Sequence, residues 1–330
     1  MCALPALAQT APDAEPPREE RIEELVVTAT RVERAVLEIP AAVSVIDRDE
    51  IQRARQQLSL AESLSMVPGV FVLNRTNFAQ DTRIAIRGFG ARSRFGIRGI
   101  KLIVDDIPAS LPDGQGQVDS LQLASAGRIE VIRGPTASLY GSAAGGVIRI
   151  DSEPPPEAPV LDGRVSFGSN GFQSYEAKSA GQIGPVGYLL GLTRQVVDGY
   201  RDHSRMESNV LNSNLSWDID PDSDLRGTLS FVYAPVADDA GGLTRTEVDE
   251  NRTQARDRNI VFDAGERVDQ VSAGVRYRRR FGEKHRTIAA GYFGWRDFAN
   301  RLPFAGECTA LGPPAGARTE LDRFFGGGSL

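Results

Sequence analysis

The sequence predicts two units: a small α+β domain ending near Glu153, and after it a run of amphipathic antiparallel strands long enough to cross a bilayer. Three observations carry this. Two helix-capping patterns lie among short apolar runs before Glu153. The prolines Pro154, Pro155, Pro156 and Pro159 then interrupt the chain, and beyond them apolar residues recur at every second position. Nowhere do roughly 18 apolar residues follow one another, so a membrane could be crossed only by strands. At 330 residues and 41% hydrophobic content the chain has room for two compact domains. Its formal net charge of -6 argues against nucleic acid as a partner, which would demand a basic face.

The elements follow in order. Residues 1–8 resemble the tail of a secretory signal, with Ala6-Leu7-Ala8 as the small-residue cleavage site before Gln9. Residues 9–23, rich in Pro, Asp, Glu and Arg, cannot bury a core and are expected to form a disordered tether. Val43–Ile46 reads as a strand. Asp47 with Glu50 makes a capping box for a helix through about Gln56. Ser59 with Glu62 opens a second helix, which Pro68-Gly69 ends. Strands are expected at Val70–Leu73, Arg83–Arg87, Ile100–Asp105, Arg128–Arg133 and Val147–Ile150. Polar, glycine-rich loops join them at 74–80, 88–99 and 110–117, the sort of segment on which binding residues sit.

Beyond the proline-rich linker at 154–159, the segment 160–330 alternates. Leu211, Ser213, Leu215 and Trp217 oppose Asn212, Asn214 and Ser216; Leu225, Leu229, Phe231 and Tyr233 oppose Arg226, Thr228 and Ser230. Val186–Leu192 and Val271–Tyr277 repeat the pattern. About seven such segments are expected, each near the ~10 residues of a tilted spanning strand. A tight turn at Asp218–Asp224 and a long charged loop at Pro235–Arg267 alternate, as in outer-membrane barrels. A soluble β-sandwich alternates as well, and periodicity leaves both open.

Five segments are more specific. Ile86-Arg87-Gly88-Phe89-Gly90, Ile103-Val104-Asp105-Asp106-Ile107-Pro108, Arg128–Pro135, Leu139-Tyr140-Gly141 and Gly145-Gly146-Val147-Ile148 resemble, in order and spacing, the plug of TonB-dependent receptors. Glu24-Leu25-Val26-Val27-Thr28-Ala29-Thr30 resembles the TonB box that precedes that plug. The resemblance implies a plug at 31–153 followed by part of a transmembrane antiparallel β-barrel, the barrel having 22 strands in the intact family. Such a barrel needs roughly 220 strand positions, more than follow Pro159, so the chain is expected to be an N-terminal fragment of an outer-membrane receptor.

The resemblance also implies roles. Residues 24–30 would add a strand to the TonB C-terminal domain, a form of β-augmentation; read without the downstream motifs, the same residues could be a first plug strand. Arg87 and Arg133 match plug arginines that meet barrel glutamates, here in strands beyond the chain. Arg75 and Asn77, Arg92, Arg94, Phe95 and Arg98, and Asp113, Gln115 and Gln117 occupy the three loops expected to face a ligand. Guanidinium groups around a phenyl ring suit an anionic ferric siderophore or ferric citrate-like chelate; cobalamin, a nickel complex or an oligosaccharide are the alternatives, as is a non-transporting plug or soluble binding module. Outer-membrane lipid is the implied surroundings of the strands. Too few positions lie between Gln9 and Glu24 for a folded signalling domain.

Other chemistry finds little support. After Gly88-Phe89-Gly90 a dinucleotide fingerprint would place glycine at Ser93, and no Gly-rich loop leads into GK[ST]. The run Asp218, Asp220, Asp222, Asp224 lacks the glycine and twelfth-position glutamate of a calcium loop. With His203, His285, Cys2 and Cys308 scattered, no metal cluster or catalytic dyad is expected, nor a cofactor or enzymatic activity. Cys308 is expected to find its partner beyond the chain.

Overall fold

The computed structural model describes residues 26–27, 34–35, 39–53, 55–74, 76–80, 82–93, 96–116, 118, 120–282, 285–304 and 316–330. A two-residue strand β1 (Val26–Val27) pairs antiparallel with β2 (Arg34–Ala35), forming a separate ribbon outside the main sheet of the domain. β3 (Ala42–Asp47) leads into α1 (Arg48–Gln52), where Asp47 and Glu50 form the expected capping box; Ser59 and Glu62 form a second at α2 (Leu60–Leu64). The first helix stops at Gln52, short of the Gln56 that the sequence suggested. The reason is the second capping residue. Glu62 accepts hydrogen bonds from the backbone N–H of Gln56 (2.9 Å) and Leu58 (2.8 Å), withdrawing those amides from any helical ladder.

β4 (Val70–Leu73) and β5 (Arg83–Ile86) form a hairpin of their own. β6 (Ile100–Val104), β7 (Ile107–Pro108), β8 (Ala126–Arg133) and, after the short helix α3 (Ala137–Tyr140), β9 (Gly146–Ser152) join β3 in a five-stranded sheet of order β3-β8-β9-β6-β7. All its pairings are antiparallel except β6 with β9. Ile46, Ile51, Leu64, Ile84, Ile86, Ile100, Leu102, Ile129, Val131 and Ile148 fill the core between this sheet, the helices and the hairpin. Gly146 is obligatory: its φ is +144°, and a Cβ there would lie 2.1 Å from the Ile132 carbonyl oxygen.

After residues 153–159 the chain forms one antiparallel meander of eight strands: β10 (Val160–Phe167), β11 (Gln173–Ile183), β12 (Val186–Val197), β13 (Met206–Asp220), β14 (Ser223–Asp238), β15 (Gly265–Phe281), β16 (His285–Leu302) and β17 (Ala317–Ser329). Eight is one more than the alternation suggested. β17 ends in Gly326-Gly327-Gly328, which carry no alternation, and its identity comes from its register with β16. The long loop also contracts, to 239–264, because Pro235 does not end β14. It sits at a register irregularity between Ala234 and Ala237, where the missing N–H breaks no ladder bond. The loop carries α4 (Arg245–Glu250) and α5 (Asp257–Val261), and Arg201 ties it down by donating to the carbonyls of Ala240, Gly241 and Gln254.

The two faces of this sheet differ in kind. Leu192, Leu211, Phe231, Val271, Trp295 and Phe324 are successive register partners on one face, with Leu190, Leu229 and Phe293 beside them. Large side chains here stay exposed, Phe293 at 56% and Phe324 at 69%. The opposite face carries Val210, Val232, Gln270 and Arg296, also in register and all buried, and alongside them the polar residues Asn212, Asn214, Thr228, Ser230 and Ser272. Apolar outside and polar inside is the pattern of a spanning barrel wall rather than a sandwich. The sheet is an open arc of such a wall.

Candidate functional site

Between the N-terminal domain and the large sheet runs a seam of polar contacts, built at four places. Glu153, just past β9, accepts from Gln52 of α1 and from Lys178 of β11 (2.9 Å), and pairs with Arg48 (3.1 Å). Burial opposes ionisation of Glu153, but those donors together hold its carboxyl below the ordinary value. Arg164 of β10 donates to the carbonyls of Gln52 and Arg55, and Gln195 of β12 to that of Gln57. Gln122 donates to Thr193 Oγ1 (2.8 Å) above Gly191, where a Cβ would stand 2.4 Å from the Gln122 Oε1 atom.

The fourth place is the β6–β7 hairpin. Its two-residue turn, Asp105-Asp106, has φ of +49° and +70°, the signature of a type I′ turn, which favours glycine second. Ser152 donates to Asp105 through its backbone N–H (2.9 Å) and Oγ (2.7 Å), and Asn214 of β13 donates to that Oγ (2.7 Å). Burial pushes the Asp105 carboxyl up, and the Ser152 hydrogen bonds offset this only in part. Asp106 accepts from Arg149 of β9 (2.6 Å) and faces Arg276 of β15 at 3.3 Å. Arg276 also pairs with Asp224 of β14, which pairs in turn with Arg278. Burial raises the Asp106 carboxyl, but Arg149 and then Arg276 outweigh it and hold it below the ordinary carboxylate range. Alongside, Gly274 leaves a notch for Ile107: a Cβ there would lie 2.6 Å from Ile107 Cγ1.

The profile of the TonB-dependent Receptor Plug Domain family matches residues 35–147. The vitamin B12 transporter BtuB of Photobacterium profundum is 34% identical over 179 residues, covering 53% of this chain and 28% of that protein. Residues 35–147 therefore carry the plug domain of the TonB-dependent receptors. Solved structures with the same fold include the ferric yersiniabactin uptake receptor FyuA from Yersinia pestis (TM-score 0.66, 18% identity, 80% of this chain and 42% of that one) and the ferric citrate transporter FecA in the unliganded form (TM-score 0.67, 19% identity, 81% and 41%). The copper transporter OprC matches at TM-score 0.66 and 17% identity over 87% of this chain and 43% of its own. This chain thus spans 28% of the curated relative and under half of these structures.

Of the site residues expected from the sequence, Glu24, Leu25, Thr28, Ala29, Thr30, Arg75, Arg94, Phe95 and Gln117 lie outside the described residues, as do Cys2 and Cys308. Val26 and Val27 form β1. Across the polar loops at 88–99 and 110–117 the structure brings together Arg98, Asp113 and Gln115: the Arg98 guanidinium donates to Gln115 Oε1 (3.2 Å) and to the Asp113 carbonyl (3.3 Å), and pairs with the Asp113 carboxylate (3.4 Å). Arg92 is exposed nearby in sequence. Asn77 is not part of this group; it donates to Asp239 of the long wall loop (3.0 Å).

Arg87 and Arg133 come close to each other. Arg87, at φ +48°, bonds Gly69 through its backbone, and Arg133 donates to the Pro68 carbonyl (2.7 Å) and Ser44 Oγ (3.1 Å). Burial, and then the neighbouring Arg87 charge, depress the Arg133 guanidinium. Neither arginine has a carboxylate partner among the described residues. Sequence reasoning missed the four-part seam altogether. Its signal was present only as glycines and Asp106 at places where alternation and turn chemistry favour other residues.

Proposed function

We propose that this chain is the energy-coupling and gating part of a receptor for TonB-dependent, ligand-gated active uptake across the outer membrane. One observation carries the reading: a plug domain lies on the polar face of a wall whose other face is apolar and exposed, the arrangement of a plugged barrel in lipid. The chemical logic is mechanical. Beside the apolar contact of Leu58 and Phe78 with Phe172, Val197 and Met206, the seam joins plug and wall by hydrogen bonds and ion pairs that water can replace when the plug is pulled. Residues 24–30 are the segment through which TonB would pull; within it Val26 and Val27 pair with Ala35 and Arg34.

A ferric siderophore or ferric citrate-like chelate is the ligand class that Arg92 and Arg98 suit, with Asp113 and Gln115 orienting Arg98. Arg87 and Arg133, two cations side by side on the plug with no carboxylate partner among the described residues, suit wall glutamates from a part of the barrel beyond these strands. A second reading, cobalamin uptake, is favoured by the 34% identical relative, itself named a vitamin B12 transporter. The discriminating test is accumulation of radiolabelled ferric citrate, a ferric catecholate and cyanocobalamin by cells expressing the receptor or its Val27→Pro variant. Uptake of a ferric chelate that Val27→Pro abolishes while surface binding persists supports the proposal. Uptake of cyanocobalamin alone selects the second reading, and transport unaffected by Val27→Pro overturns the coupling role.

A further inference from the structure

The six charges at the β6–β7 hairpin form a line of alternating sign, Asp151, Arg149, Asp106, Arg276, Asp224, Arg278. The boundary between plug and wall falls in its middle, between Asp106 and Arg276. We propose that Asp106 is a releasable latch, a positioning residue that holds the plug hairpin against wall strands β14 and β15 and can let go without stranding a charge. This deepens the uptake reading and rests on it for its purpose, though not for its test.

Three observations carry the inference. Asp106 stands at φ +70° in a type I′ turn, where glycine is the commonest second residue. Its carboxylate pairs, among the described residues, with Arg149 and Arg276. Next, each side of the boundary holds its own counter-ion. When the domains part, Asp106 keeps Arg149 at 2.6 Å, and Arg276 keeps Asp224. The usual cost of breaking a buried ion pair comes from the charge left behind unpaired, and here none is left. Third, the bond across the boundary is the weak one. Arg276 Nε approaches Asp106 at 3.3 Å without hydrogen-bond alignment, beside a cavity of ≈ 310 Å³ lined by Asp106, Arg149, Arg276 and Arg278 that admits water to the pair.

The latch therefore supplies register and a modest hold rather than a permanent weld. Ile107, next to Asp106, seats in the notch at Gly274, so opening of the latch uncovers position 107. The test uses the receptor in outer-membrane vesicles, with Cys2 and Cys308 changed to serine, a cysteine introduced as Ile107→Cys, and a bulky maleimide as the probe. The labelling rate in resting vesicles, with neither ligand nor TonB, reports how often the seam opens there. Asp106→Asn keeps a residue at home in the turn but deletes the charge, and should speed labelling roughly tenfold. Asp106→Glu should restore most of the wild-type rate. Asp224→Asn removes the partner that Arg276 falls back on, and should slow labelling instead. Arg245→Gln, on the exposed helix α4 and paired with Asp249, serves as the control with an unchanged rate. An Asp106→Asn rate equal to wild type, or an Asp224→Asn variant that labels as fast as Asp106→Asn, overturns the latch. Because no transport is measured, these outcomes are independent of whether the uptake proposal fails.

Discussion

Replacing Glu153 by glutamine removes the charge on which one corner of the plug–wall seam converges. Glu153 and Lys178 have side chains only 13% and 12% exposed, so their pairing at 2.9 Å is poorly screened. Glutamine keeps the shape but leaves Lys178 with Asp162 as its ion-pair partner among the described residues, at 3.7 Å and with the aspartate 60% exposed. Breaking a fully buried pair costs about 3–5 kcal/mol; partial exposure and the remaining Asp162 lower the expected loss to about 2 kcal/mol. The pH dependence has a definite sign. The folded-state pKa of Glu153 lies below its unfolded value of 4.5, so its stabilisation is fully present above 4.5 and disappears as pH falls through the depressed folded value. The difference between wild type and Glu153→Gln should hold constant from neutrality to about pH 5 and shrink below 4.5. Urea titration of the detergent-solubilised chain, scored by protease resistance of the plug, measures it. In a Lys178→Met background the glutamine change should cost at least 1 kcal/mol less, roughly the coupling of contacting residues. Full additivity of the two changes, or a loss that persists undiminished at pH 3 to 4, would refute the assignment of Glu153 and Lys178 as a coupled seam pair.

Phe231→Arg places a charge on the exposed apolar face of the wall, beside Leu211 and Val271; membrane assembly should suffer by about 2–4 kcal/mol if that face meets lipid, read as loss of heat-modifiable folded protein in vesicles, whereas an unaffected variant would argue for an aqueous face. Gly274→Val fills the notch under Ile107 and should cost about 1–3 kcal/mol in plug docking, measured by the same protease assay, with Ile107→Ala relieving most of the loss. Arg201→Ala deletes donors to the carbonyls of Ala240, Gly241 and Gln254, and hydrogen exchange across 240–262 should accelerate about tenfold or more while exchange in the plug stays put.

Much of the plug was legible because its signals are local. A capping box needs only two residues three positions apart, and both boxes form. The strand Val70–Leu73 has the predicted ends, bounded by the breaker Pro68-Gly69. Helix α1 was overextended because the group that ends it, the Glu62 carboxylate, belongs to the next capping box and acts across a reversal of the chain. Pro235 was read as a strand end for want of the bulge that accommodates it. Of the residues in the three polar loops, Arg98, Asp113 and Gln115 meet, whereas Asn77 turns to Asp239, a residue more than 160 positions away.

By itself the sequence determined the two-unit plan, the plug family and the two-faced wall strands, since periodicity, caps and ordered glycine motifs are written over a few residues each. Only the tertiary structure decided which wall residues meet the plug. Glu153 finds Lys178, Gln122 finds Thr193 and Asp106 finds Arg276 across separations that no local pattern encodes. Those meetings follow from strand register and from glycines that let the domains approach, and a one-residue slip in register would turn every one of these wall side chains outward.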